Sequence, residues 1–368
     1  MLSNIVLPCQ DLYSNFLPTP DFPDELPPKQ IYDLANFFYT QAPPEGYDLQ
    51  LCRLSNRDLV WDTHRTQTMF VEQIYNAENE FEKYAQRMFE CSGWLKFGFN
   101  ENNGLVLKQA NFCRVRYCPV CQWRKSLLWK ALMYQSYPAI REEHPKHRFI
   151  FLTLTIKNPH ISELRSTLDL MNKSWKKLTK RKEFALVDGW IRTTEVTRDK
   201  ERPNEYAHPH FHVILMVKPS YFAKGYVKHM DWVRAWGECL RVDYLPNVDI
   251  RTVKPKAKDI DDPDKGIKSA IAETMKYAIK PEDMIGDESL QAVNWFHEYT
   301  RQVFKLRFVA SGGALKNALK ADDKITDQDM ITADQDPQAE LIEKDTRRLN
   351  FTYLPTKKGY FYNPKYNT

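Results

Sequence analysis

The chain has 368 residues, 27% of them charged, with a formal net charge of +5. That length allows two or three domains with a sizeable core. No apolar run approaches a membrane span, and the N-terminus lacks the basic-then-apolar pattern of a secretory signal. The sequence therefore reads as a soluble, cytoplasmic protein with no membrane partner. Charge is unevenly spread: Lys108 to Arg148 holds nine Lys or Arg against two Glu, and Lys173 to Lys182 six basic residues and no acid. From Asp322 to Asp345 the sign reverses, with nine acids and two lysines. A basic body with an acidic tail suits a nucleic-acid-binding protein, and a solvated helix face with a solubilising tail is the plainer alternative.

In chain order, residues 1–85 read as a proline-rich N-terminal arm and helical region, with eight prolines before Gly46 and a short amphipathic segment at Ile31–Tyr39. Residues 66–90 pattern as one helix leading to Cys91. Residues 86–135 form a Cys-rich element that ends in a helix from Gln122 to Tyr134. Seven cysteines are an odd number for a disulfide framework, and clustered cysteines in such a chain point to a metal. Cys118-x-x-Cys121 has zinc-knuckle spacing and Cys113 lies five residues earlier. Cys91 is the first choice for a fourth Zn2+ ligand, with His144 and His147 behind it. Zinc worth about 10–16 kcal/mol would hold together a segment poor in apolar residues. Arg114, Arg116, Arg124 and Lys125, interleaved with Tyr117, Trp123 and Trp129, offer phosphate contacts and stacking surfaces for DNA. Three buried free thiols are the alternative reading of this block. Cys9, Cys52 and Cys239 read as structural.

Residues 145–318 alternate strands and helices. Phe149–Ile156 is an apolar, β-branched strand, followed by a helix carrying Leu164, Leu168, Met171, Trp175 and Leu178 at helical spacing. Trp190–Thr197 and His210–Val217 read as antiparallel neighbours joined by the short segment Arg198–Tyr206. A helix at Tyr226–Cys239, a strand at Val248–Val253, a helix at 267–280 stopped by Pro281, and a helix near 288–303 follow. The tail, residues 319–368, is acidic and reads as mobile. The fold class expected is α+β, a central antiparallel β-sheet flanked by helices, preceded by the Cys-rich element.

On the strand His210-Phe211-His212, alternation turns both imidazoles to one face. Glu195 on the hairpin partner can complete a His-His-Glu set suited to Mn2+ or Mg2+ bound to phosphate oxygens, with Zn2+ as an alternative. His208 is a weaker ligand candidate, and surface histidines on an edge strand are the plainer reading. Thr153 and Thr155 share a strand face and either line this site or serve only as β-branched fillers. Further on, Glu273, Tyr277 and Lys280 occupy one helix face at i, i+4 and i+7. A tyrosine above a metal can attack phosphate, Glu273 can act as general base, and Lys280 can hold a phosphate. In isolation these three form an ordinary salt-bridged surface.

The order Phe151-Leu152-Thr153-Leu154-Thr155, Glu195, His210-Phe211-His212 and Glu273-Thr-Met-Lys-Tyr277-Ala-Ile-Lys280 resembles the three motifs of HUH endonucleases. It resembles most closely the single-tyrosine replication initiators of rolling-circle plasmids. The resemblance runs from about Cys91 to Lys316. It implies that Tyr277 attacks plasmid origin DNA, single-stranded or extruded as a hairpin, leaving a 5′-phosphotyrosine and a 3′-OH primer. Host helicase and DNA polymerase would be the partners that extend it. It further implies that His210, His212 and Glu195 hold the divalent ion and that Glu273 activates water to end replication. An HUH relaxase or transposase shares these motifs. The alternative from a different class is a non-catalytic, zinc-dependent DNA-binding regulator.

Overall fold

The computed structural model of the chain describes residues 50–51, 58–99, 105–253, 265–274, 281–287, 289–319 and 348–363. The chain divides into two units, Met1–Cys121 with Thr326–Thr368, and Gln122–Ile325. The fold is α+β, with antiparallel sheets flanked by helices, as the element pattern leads one to expect.

In the first unit the helices α1 (Leu59–Asn76) and α2 (Glu82–Phe89) replace the single helix expected over 66–90. Between them a short turn, Asn79–Phe81, places the buried Phe81 ring 5.3 Å from that of Tyr75. Burying Phe81 needs a change of helix direction, which the polar run after Tyr75 permits. Two strands, β1 (Trp94–Phe99) and β2 (Leu105–Ala110), lie in the stretch read as a Cys-rich loop and helix. The last two strands, β8 (Leu349–Leu354) and β9 (Gly359–Tyr362), come from the segment read as mobile tail. The sheet order is β2-β1-β8-β9, so Trp94 pairs with Thr352 across most of the chain length. Its inner face buries Leu95, Phe97, Leu349, Phe351 and Tyr360. Residues 320–347, which hold the whole acidic run Asp322–Asp345, lie outside the described residues, as does the segment Ile31–Tyr39.

The unit boundary falls within α3 (Pro119–Glu143), which is longer than the helix read at Gln122–Tyr134. The second unit is built on a five-stranded antiparallel sheet in the order β6-β3-β5-β4-β7. Its strands are β3 (Arg148–Thr155), β4 (Val187–Arg198), β5 (Ala207–Val217), β6 (Val248–Thr252) and β7 (Val309–Gly313). Central β5 is buried at nearly every position because both sheet faces are covered. One face packs α4 (Leu164–Leu178) and α5 (His229–Leu240), with the Trp175 and Trp236 rings within 6.4 Å of Phe211. On the opposite face Phe149, Phe151, Ile191, Ile214 and Met216 join Met133 and Tyr137 of α3. Ile267 and Ile271 of α6 (Lys265–Thr274) complete that core.

Residues 275–280, where the expected helix over 267–280 would end, lie outside the described residues, and Pro281 opens a helix. It heads α7 (Pro281–Ile285), where its missing N–H costs nothing. The helix α8 (Leu290–Gln302) follows, capped by Ser289, whose Oγ accepts from the Ala292 N–H.

Candidate functional site

The β4–β5 register pairs Glu195 with His210 and Thr193 with His212. All four side chains therefore rise from one sheet face, the one that also carries Ile191 and Ile214. The His212 Nε2 lies 3.0 Å and the His210 Nε2 3.4 Å from the same Glu195 oxygen, Oε2, and the two Nε2 atoms are 3.1 Å apart. Glu195 and His210 are buried and His212 is half-buried.

The far ring nitrogens are also engaged. The His210 Nδ1–H donates to the His208 carbonyl at 3.2 Å, and His212 Nδ1 sits 3.3 Å from Thr153 Oγ1. The carbonyl partner makes His210 Nδ1 a donor, and both contacts fix the ring orientations so that the two Nε2 atoms face the carboxylate. Burial works to raise the Glu195 carboxyl, but the hydrogen bonds and charge of the two histidines outweigh it and hold it below the usual carboxylate range. Two imidazole nitrogens and one carboxylate oxygen converging on one point form a group that could hold a divalent ion with positions left open.

His208 is not part of this group. Its Nδ1 is 2.7 Å from Asn158 Oδ1, and Asn158 in turn donates to Asp199, so a local network holds it. Of the two threonines, Thr153 touches His212, whereas Thr155 donates to the Asn247 carbonyl and serves the turn before β6. No sequence pattern distinguished their roles, because both share one strand face and differ only in tertiary neighbours.

Helix α6 covers the same face. Ile267 and Ile271 pack with Phe151 and Ile214, each two residues along its strand from Thr153 and His212. Glu273 lies on this helix, one residue before its end at Thr274, and its side chain is outside the description. Tyr277 and Lys280 also lie outside the described residues.

A second group is formed by Cys91, Cys113, Cys118 and Cys121. Their sulfurs approach at 3.5 Å (Cys91–Cys118), 3.7 Å (Cys91–Cys121) and 3.6 Å (Cys113–Cys121), and none forms a disulfide. Four thiolates at about 2.3 Å from a tetrahedral zinc stand roughly 3.8 Å apart, so the donor set and spacing fit Zn2+. The Cys113 N–H points to Cys91 Sγ and the Val115 N–H to Cys113 Sγ, each at 3.4 Å, as thiolate-stabilising donors do. Burial and the adjacent sulfurs push the Cys118 thiol well above the usual range, so ionising these groups together calls for a cation between them. Cys91 is thus the fourth member. His144 and His147 are not, since His147 Nε2 meets Asp188 at 2.7 Å and the two rings pack on each other.

Comparison with known proteins decides the family. A family model described as "Replication protein" matches residues 104–361. The chain belongs to this replication-protein family. Among its relatives, "Protein rep" of Streptococcus pneumoniae serotype 2 is 35% identical over 268 residues, covering 72% of this chain and 80% of that protein. "Protein rep" of Bacillus amyloliquefaciens is 34% identical, covering 65% and 73% respectively. A "Replication protein" of Staphylococcus aureus is 32% identical over 54% of this chain and 85% of its own length. No solved structure matches. The resemblance to rolling-circle plasmid initiators is borne out by this membership, and the matched span reaches past Lys316 to take in β8 and part of β9.

The basic residues read as DNA contacts of this replication protein separate by environment. Arg114 and Arg116 are exposed in the first unit. Arg114 has a left-handed backbone (φ 55°), and the Arg116 guanidinium lies 5.5 Å from the Tyr117 ring. Lys125 is exposed, 5.0 Å from the Trp129 ring. Arg124 is buried at 5% exposure, which removes it as a surface phosphate contact. It sits one position from Lys125, and helical rotation turns it inward where the sequence showed only another basic residue.

Proposed function

We propose that this replication initiator nicks one strand of plasmid origin DNA through Tyr277. The observation that carries the reading is the convergence of Glu195, His210 and His212 on one point beneath the face covered by the helix that leads toward Tyr277. Bound there, Mn2+ or Mg2+ would polarise a non-bridging oxygen of the scissile phosphate. The Tyr277 hydroxyl attacks phosphorus, the P–O3′ bond breaks, and the leaving 3′ oxygen takes up a proton to become a primer. The product is a 5′-phosphotyrosine that conserves the phosphodiester energy.

Lys280 holds phosphate charge. Glu273 takes a proton from water at the end of a round, so that hydroxide displaces Tyr277 and the tyrosine regains its proton. The free 3′-OH is the substrate of a host DNA polymerase, and a host helicase exposes the template. The four-cysteine site holds Zn2+ as a structural ion. Among the described residues no helix is long and apolar enough to cross a membrane, and action on plasmid DNA fits the cytoplasm.

The full chain is incubated with supercoiled plasmid carrying its own origin, with Mn2+, with EDTA, and with EDTA followed by Mn2+. Open circles should form only when metal is present, and mass spectrometry should find a nucleotide on the Tyr277 peptide. Tyr277→Phe should lose the adduct by at least a thousandfold while still binding the DNA. A normal adduct in that variant, or nicking that survives EDTA, overturns the assignment. Glu273→Ala should nick normally yet accumulate adduct, and normal release would place the base elsewhere.

A further inference from the structure

The first unit carries a grouping of cations that the nicking chemistry does not use. Along β1, Leu95, Phe97 and Phe99 turn inward and are buried, so Trp94, Lys96 and Gly98 line the other face. Pairing sets Gly98 opposite Val106 of β2 on one side and beside Arg348, which precedes β8, on the other. Two long side chains cross above this glycine. A Cβ built there would lie 2.8 Å from Lys108 Cε and 3.1 Å from Arg348 Nη1. Any larger residue would force them apart.

Burial and the charge of Arg348 both pull Lys108 below the ordinary lysine range. Two cations therefore stand side by side over Gly98. Lys96 adds a third cation to the same face, beside Asn350. Trp94, two residues before it, is 38% exposed, a large indole left partly in water on the face that carries these cations.

We propose that this sheet face, with Lys96, Lys108 and Arg348 on the backbone and Trp94 against a base, binds single-stranded DNA at a site other than the metal triad. Cations that track phosphates beside an aromatic platform are the recurring construction of single-strand binding, tolerant of sequence because every base has a face to stack. Duplex DNA keeps its bases stacked on each other and has no use for the indole. A replication initiator generates displaced single strand, so a non-specific hold on it lies within reach of its work. The inference rests on the family and on this face alone, not on the role of Tyr277.

The test uses the full chain, metal-loaded at its cysteines, with a fluorescent 20-nucleotide oligo-dT and a mixed-sequence 20-base-pair duplex. Binding is followed by anisotropy across a salt series. The double variant Lys96→Ala/Lys108→Ala should weaken oligo-dT binding about tenfold at 0.1 M salt. It should also flatten the slope of log K against log salt by roughly 0.7 for each phosphate that is no longer neutralised. Trp94→Ala should weaken oligo-dT binding by a similar factor with the slope unchanged, and duplex affinity should move less than twofold in all variants. Zinc content and the thermal midpoint report that the unit is folded, and Lys108→Gln replaces the double variant if those change. Parent-like oligo-dT affinity and slope in a folded variant overturn the proposal, as does a loss confined to the duplex.

Discussion

At the scale of single residues, titration within α1 gives a sharp expectation. Burial pushes the Asp62 carboxyl up to about 7, against the hydrogen bonds it accepts from the Tyr360 N–H and from Gln50. Two residues on, burial pulls His64 down to about 4. Between the ordinary and folded values Asp62 keeps a proton that the unfolded chain releases, so its contribution to stability falls as pH rises from about 4 to 7. His64 does the reverse. The unfolded chain binds a proton that the folded one refuses, so its contribution is present above about 6.5 and is lost as pH falls toward 4. Each slope is about 1.4 kcal/mol per pH unit, with opposite sign, so the two cancel between about pH 4 and 6.5. Relative to the parent, Asp62→Asn should therefore gain roughly 2 kcal/mol on going from pH 4.5 to 6.5, and His64→Gln should lose as much. Urea midpoints at the two pH values measure both, and parallel behaviour of either variant with the parent would refute the corresponding assignment.

At the scale of elements, one strand serves two purposes. β4 presents Glu195 to His210 and His212 and, three residues later, Arg198 to the helices on either side of Gly286. Arg198 donates to the Asp283 and Ala292 carbonyls at 2.6 and 3.0 Å, and its guanidinium stacks 4.2 Å from the Trp295 ring centroid. It thereby anchors the chain just after the 275–280 segment, as Ile271 anchors it just before. Arg198→Met keeps the bulk but leaves buried acceptors unpaired, and should cost about 2–4 kcal/mol with a clear fall in thermal midpoint. A midpoint within a degree of the parent would show that the anchor lies elsewhere. The expected helix over 267–280 was legible in its first half, where Ile267 and Ile271 follow helical spacing. Its second half, 275–280, lies outside the described residues, and Pro281 suits the first position of the helix that follows, where a missing N–H is no loss.

At the scale of the whole molecule, the first unit is discontinuous. β1 pairs β8, and Tyr360 reaches back to donate from its hydroxyl to the Ser92 carbonyl at 2.6 Å, next to Cys91. The last strands therefore support the four-cysteine site. A chain ending at Ile325 should retain zinc poorly, dropping well below one ion per chain by atomic absorption, and should expose the edge of β1 to aggregation. Full zinc retention in that truncated chain would show that the cysteines hold their geometry unaided. The acidic composition after Ala321 hid this role, because it averages over a segment whose last apolar residues, Phe351, Tyr353, Tyr360 and Phe361, complete a sheet begun more than 230 residues earlier.

The sequence by itself determined the alternation that puts His210 and His212 on one face, the short hairpin that brings Glu195 beside them, and the Cys-x-x-Cys spacing. Each of these is local, set by the strand period or by a few residues of chain. Only the tertiary structure decided that His210 and His212, but not His208, stand with Glu195, that Cys91 and not His144 or His147 joins the other three cysteines, and that Arg124 is buried. It alone also brought Lys108 and Arg348 together over Gly98. Those outcomes depend on contacts between residues far apart in the chain, which no period or spacing encodes.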